Sequence, residues 1–287
     1  NVTNSKPSQI CGGFFVSGRA GLDAKGLSKW PEKVTLRKRS NEVTMNELSP
    51  EKRILLVFNS ATGQPGRVGD VMRRYGYTFD IRRPGEGDVL PHDLDGYHLV
   101  VVFGGPMSAN EDDLGNVSAI MDWLPKVVAS DVMYLGICLG AQMMARHLGA
   151  SVAPHPDGLT EIGYYPVQAT EAGRDLFPDN MMVYHWHSEG FGLPEGAELM
   201  ATGPTFPHQA YHIDGRIWGI QFHPEVDDES HERWLSGAGD KTNRPNGQGP
   251  DEQRAGRAKY DADFGAWFER FAAKVLVGGR VCSDIGR

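Results

Sequence analysis

"MYLGICLGAQMMARHLGA", residues 133–150, changes periodicity within a few positions. Its first five residues are a short apolar run of the kind that a sheet buries on both faces. From Leu139 onward apolar side chains recur at helical spacing, and Gly149 closes that run. Cys138 sits at the switch, between Gly136 and Gly140. A strand that turns into a helix across Gly-x-Cys-x-Gly marks a βα unit and raises one question: is the cysteine held on a sharp turn for chemistry, or buried as a small apolar side chain?

The flanking sequence repeats the same alternation. "RILLVF" from Arg53 predicts a buried strand, "GRVGDVMRRYG" a helix and "YTFDIR" a second strand. "YHLVVVFGG", residues 97–105, is a continuous β-branched run, and "NVSAIMDWLPKVVA" is helical. Alternation of this kind predicts an α/β fold: an open, mostly parallel sheet flanked by helices. After Gly149 the texture changes to short strands separated by turns, "EIGYYPVQA", "MMVYHWH", "AELMATG", "HQAYHID" and "RIWGIQFH", which predicts a small antiparallel addition. "VDDESHERWLS" predicts a helix with a solvated, acidic start. A polar loop is expected at about 236–257 and a last amphipathic helix at about 260–277, whose Phe264, Trp267, Phe268 and Phe271 suit a core or a subunit interface. Residues 1–44 show no sustained apolar period and are expected to be disordered or a non-native extension; residues 45–287 are expected to form one domain.

The chain of 287 residues is 40% hydrophobic, enough for a substantial core, and its formal net charge is −8. A uniformly acidic chain lacks the clustered Lys and Arg that nucleic-acid backbones require. No apolar run approaches the roughly 20 residues needed to cross a bilayer. The three cysteines, Cys11, Cys138 and Cys282, form no CxxC pair, which argues against zinc ribbons and disulfide scaffolds and suits a cytoplasmic setting. No cofactor motif stands out: "FGGP" ends a strand but lacks dinucleotide-loop spacing.

The context of Cys138 is that of a nucleophile elbow with sulfur in place of a hydroxyl. Glycines are needed beside it because the nucleophile takes a strained conformation while neighbouring chain passes closely. The helix beginning at Leu139 aims free N–H groups at the sulfur, a field that favours a thiolate. "GIQFHPEV", residues 219–226, offers a partner: in extended backbone His223 and Glu225 project to one side, and Pro224 keeps His223 extended. Nucleophile, base and orienting acid would then be Cys138, His223 and Glu225. An oxyanion would need two N–H donors, one from Leu139 and one from the loop "VFGGPMS", where Gly104 and Gly105 allow close approach.

Taken in order, "FGGPMS", "GICLGAQ" and "FHPE" resemble the motifs of class I (triad-type) glutamine amidotransferases, and most of all free-standing proteins similar to the amidotransferase domain of GMP synthase. The resemblance covers about residues 53–235. It implies a flavodoxin-like fold, Cys138 as nucleophile, His223 as base, Glu225 as orienting acid, and Gly105 and Leu139 as the oxyanion hole. It implies that Gln142 contacts the substrate's amide end, that Gly104 lines the substrate site, and that backbone near His187 and Ser188 in "YHWHSEGF" helps hold glutamine, although that segment departs from the GMP synthase form. The implied activity is hydrolysis of glutamine through a γ-glutamyl thioester, with ammonia passed to a separate synthetase, or cleavage of γ-glutamyl bonds in a small peptide or conjugate.

Two rivals follow from the residues. His185, His187, His208, His212 and His223 gather in the second half, and His-x-His spacing can bind zinc, but no matching carboxylate or cysteine set follows, so no metal is expected. A catalytically silent binding or regulatory module is the other, since fold alone does not impose function.

Overall fold

The computed structural model describes residues 53–278; the expectations for residues 1–44, Cys11 and Cys282 lie outside them. In chain order the first half contains β1 (Arg53–Val57), α1 (Gly66–Arg74), β2 (Thr78–Arg82), β3 (Tyr97–Val102), α2 (Gly115–Ala129), β4 (Met133–Ile137) and α3 (Leu139–His147). The second half contains β5 (Val152–Pro154), β6 (Glu161–Ala169), β7 (Met181–His187), β8 (Glu189–Phe191), β9 (Glu198–Thr202), β10 (Ala210–Ile213), β11 (Ile217–Ile220), α4 (Asp228–Ser236) and α5 (Pro250–Phe271).

Nine strands form one sheet in the order β2-β1-β3-β4-β11-β10-β9-β6-β7. The pairs from β2 to β11 are parallel and those from β11 to β7 antiparallel. The parallel half has the flavodoxin-like order, with β11 as its fifth strand. The antiparallel addition therefore comprises four strands, and β5 pairs with β8 in a separate two-stranded antiparallel sheet. The three-residue strands of that small sheet carry too little periodicity to be read from sequence.

Period-two alternation divides the core. Ile54, Leu56, Leu99 and Val101 face one layer with α1 and α5, while Leu55, Val57, Val100 and Val102 face the other with α2 and α3. Both faces are dry, which is why β1 and β3 read as continuous apolar runs. Phe264, Trp267, Phe268 and Phe271 are buried in the first layer, so the aromatics of α5 are core.

α5 begins at Pro250, ten residues before the expected start, and the expected loop at 236–257 ends at Gly249. Proline at the first helical position gives up no needed hydrogen bond, and Asp251 and Glu252 complement the helix N-terminus. Gln253 is buried and ties this first turn down, donating to Gln248 O at 2.7 Å and accepting from Tyr184 Oη at 2.9 Å. Ala272–Val277 continues as a π-helical turn. Among the described residues no helix is long and apolar enough to cross a membrane.

Candidate active site

The parallel strands β1, β3, β4 and β11 all run toward one edge of the sheet, where open α/β folds bind ligands. Cys138 follows β4 there with φ 50° and ψ −107°, a strained left-handed φ for a side-chain-bearing residue. Its neighbours must be glycine. A Cβ at Gly136 would lie 2.6 Å from Ala141 N, and one at Gly140 would lie 2.0 Å from Val102 O. The turn is fixed by Tyr134 Oη, which donates to Gly140 O at 2.9 Å, and by Gln142 N–H, which donates to Cys138 O at 2.9 Å.

His223 and Glu225 lie beyond the end of β11. Chain order would put them on an extended strand, but His223 O accepts from Val226 N–H at 3.4 Å, so the segment is a turn. The turn brings the pair together all the same: His223 Nδ1 and Glu225 Oε1 are 2.8 Å apart, and both side chains are buried. His223 N–H donates to Tyr184 O at 2.8 Å, and the Trp234 ring meets the imidazole edge-on at 4.9 Å between centroids. Burial alone would lower the His223 pKa, but the Glu225 carboxylate and the Cys138 sulfur outweigh it and raise it. His223 Nε2 is buried and bonded to no other described residue. Gly104 shows how close the rings come: a Cβ there would meet His223 Cε1 at 2.9 Å and Cys138 Cβ at 3.4 Å.

The loop after β3 is held by Asn59 Nδ2, which donates to Phe103 O at 2.8 Å. Neither Gly105 N–H nor Leu139 N–H donates to an acceptor among the described residues. A Cβ at Gly105 would come 2.6 Å from Asn59 Cβ and 3.1 Å from Leu139 Cδ2, so the two amides belong to adjoining turns.

These residues open on a cavity of about 560 Å³ that includes Cys138, Gly104, Gly105, Gln142, His223 and Glu225. Gln142 Nε2 donates to Glu189 O at 2.8 Å and to Gln221 Oε1 at 3.2 Å, leaving its carbonyl oxygen without a protein partner. His187 and Ser188 also line the cavity. The His187 ring is already engaged, Nδ1 with Glu189 O at 2.9 Å and Nε2 with Glu161 Oε2 at 3.0 Å, so what it can offer a ligand is backbone.

The expectation that no carboxylate accompanies the histidines is corrected here. Antiparallel pairing of β6 and β7 sets Glu161 opposite His187 and Gly163 opposite His185. Glu161 Oε2 then lies 3.5 Å from His185 Nδ1 and accepts from Gln209 Nε2 at 2.8 Å. Glu161, His185 and His187 offer ligand atoms within 4.8 Å of one another and are the group among the described residues that could hold a metal ion. His208 and His212 are elsewhere, bound to Phe191 O and Glu198 respectively.

Several cavity residues escape a reading of the sequence. Ser230, Arg233, Trp234 and Gly237 form one wall from α4 and its end, a helical i, i+3, i+4, i+7 face that was visible in "SHERWLSG". Lys241 and Arg244 reach the cavity from the loop between α4 and α5, where no periodicity announces them.

The family described as "Glutamine amidotransferase class-I" matches residues 70–236. The glutamine amidotransferase-like protein YfeJ of Salmonella typhimurium is 34% identical over 55% of this chain and 69% of its own length. The free-standing glutamine-hydrolysing GMP synthase component of Thermoplasma acidophilum is 34% identical over 51% of this chain and 72% of its own. The match to the full GMP synthase of Neisseria meningitidis, 33% identical, covers 24% of that protein. Crystal structures of glutamine amidotransferases from Thermotoga maritima and Methylobacillus flagellatus superpose with TM-scores of 0.71 and 0.73 at 27% and 26% identity, each over 79% of this chain and covering 98% and 95% of theirs. With a family match across more than half of its length, this chain belongs to the class-I glutamine amidotransferases.

Proposed function

We propose that the protein hydrolyses the γ-carboxamide of glutamine through a γ-glutamyl thioester on Cys138. The observation that carries this reading is a strained cysteine at a helix start, beside an imidazole whose other nitrogen is held 2.8 Å from a buried carboxylate. The sulfur attacks the amide carbon, and the oxyanion is stabilised by Gly105 and Leu139 N–H groups. His223, kept protonated by Glu225 and the sulfur, gives its proton to the departing ammonia. It then takes a proton from water, which attacks the thioester and releases glutamate. Gln142 Oε1 accepts from the substrate amide, and backbone at His187 and Ser188 holds the amino-acid end. Ammonia passes to a separate synthetase. The cavity's volume and cationic mouth favour a second reading, cleavage of γ-glutamyl bonds to larger amines. Glutamate released from glutamine by the full chain, compared with a Cys138→Ala variant, tests the proposal; equal release by both would reject it.

A further inference from the structure

Three cations reach the cavity of this acidic chain: Arg233 on α4, and Lys241 and Arg244 on the strap of residues 237–249. Arg233 is partly committed, with Glu229 at 3.2 Å and Ser230 Oγ at 3.1 Å. Lys241 and Arg244 are exposed, and neither has an ion pair or side-chain hydrogen bond among the described residues.

The strap that carries them is not a loose loop. Its far half is laced to the start of β6. Pro245 O accepts from Thr160 N–H at 2.9 Å, Asn246 Nδ2 donates to Thr160 O at 2.8 Å, and Tyr165 Oη donates to Asn246 O. Gln248 N–H donates to Ile162 O at 2.9 Å, while its amide both accepts from Tyr164 N–H at 2.8 Å and donates to Tyr164 O at 2.9 Å. Gly163 is required for this lacing, because at φ 125° a Cβ would fall 2.2 Å from Gln248 Oε1. The near half is a 3-10 turn, Gly239–Asn243, with Thr242 buried beneath it. The two cations are therefore presented from a pinned segment, which limits the ordering cost of using them.

The charges around the cavity exceed what glutamine needs. The acids that line it are Glu225, engaged by His223, and Glu189. A γ-glutamyl head carries one ammonium and one carboxylate, which Glu189 and Arg233 can match. Lys241 and Arg244 remain, and the cavity of about 560 Å³ has room beyond the head group.

We propose that Lys241 and Arg244 form a subsite for an anionic group on the amine half of the donor, so that the preferred substrates are γ-glutamyl amino acids or short peptides with a free carboxylate. This rests on the reading of Cys138 as the nucleophile toward a γ-carbonyl. In the reaction a C–S bond forms at the γ-carbon, the C–N bond breaks, and the His223 proton goes to the leaving nitrogen of the amino acid. Water then adds to the thioester, one of its protons returns to His223, and glutamate leaves as the C–S bond breaks.

The test is a matched pair, γ-glutamylglycine and γ-glutamylglycinamide, equal in size and different in charge, with glutamine alongside. The expected result is a kcat/KM for the acid about five- to tenfold above that for the amide, the range two exposed charge contacts supply. The ratio should shrink with added salt and approach one in a Lys241→Ala/Arg244→Ala variant, where a ratio within one preparation is insensitive to partial misfolding. Cys138-dependent glutamine hydrolysis with equal rates for the pair, or a preference that survives the double substitution, overturns the subsite alone. No turnover of any of the three by the unaltered protein overturns the subsite and the hydrolase reading together.

Discussion

Cys138, Asn180, Asp214 and Asn246 are the four non-glycine residues among those described with positive φ. Asn and Asp tolerate that region through local hydrogen bonds. A cysteine has no such excuse, so the strain at Cys138, of order 1–3 kcal/mol, is held in place by the closed turn around it. Removing its sulfur as Cys138→Ala should lower the rate of glutamate release by at least about a thousandfold while leaving the thermal transition nearly unchanged. A Gly104→Ala variant should fold but lose activity, on the order of a hundredfold, because its new methyl group would displace the His223 ring; paired kcat and melting measurements check this. The pH profile carries a sign. His223 must be protonated to expel the amine, and its pKa is raised by Glu225 and Cys138, so activity should persist through neutral pH and fall on the alkaline side as the imidazolium is lost. Glu225→Gln should move that alkaline limb to lower pH; an unmoved limb would mean that Glu225 does not act on the ring.

At the scale of elements, the parallel half was legible because strands buried on both faces leave continuous apolar runs, and the elbow was legible because glycine alone fits at Gly136 and Gly140. The meeting of His223 with Glu225 was foreseen for the wrong local reason: a turn, not an extended strand, brings them together. The start of α5 was missed because residues 250–257 are polar with an embedded Gly256, a composition that reads as loop. What makes them helical is tertiary: Gln253 bridges Tyr184 and Gln248. Gln253→Ala should therefore destabilise the protein by about 1–3 kcal/mol in urea unfolding, since it leaves the buried Tyr184 hydroxyl unpaired. A change within a few tenths of a kcal/mol would show that the first turns of α5 hold without it.

At the scale of the whole molecule, strand register decides what sequence spacing cannot. Glu161 and His187 are opposite one another only because β6 pairs with β7 in that register, so the carboxylate of the histidine cluster was invisible to a reading of His-x-His alone. The cluster also sets the acid response. Burial would raise the Glu161 pKa, but His185 and hydrogen bonds from His187 and Gln209 outweigh it and lower it to about 2; burial lowers His185 to about 3. The unfolded chain binds more protons than the folded one from the ordinary values near 6.5 and 4.5 down to those values. The contributions of both groups are thus full above about pH 6.5 and decline as pH falls through that window. His185→Gln should flatten the dependence of Tm on pH between about 6 and 3, and an unchanged slope would assign the acid sensitivity to other groups.

The central claim is that Cys138 forms a covalent bond to the γ-carbon of a glutamine-like donor. The most direct measurement is the intact mass, followed by peptide mapping, of the full chain treated with a chloroketone analogue of glutamine, with and without excess glutamine. The account predicts a single adduct on the peptide containing Cys138, slowed by glutamine and absent in Cys138→Ala. Absence of an adduct, or labelling that glutamine does not slow, would contradict it.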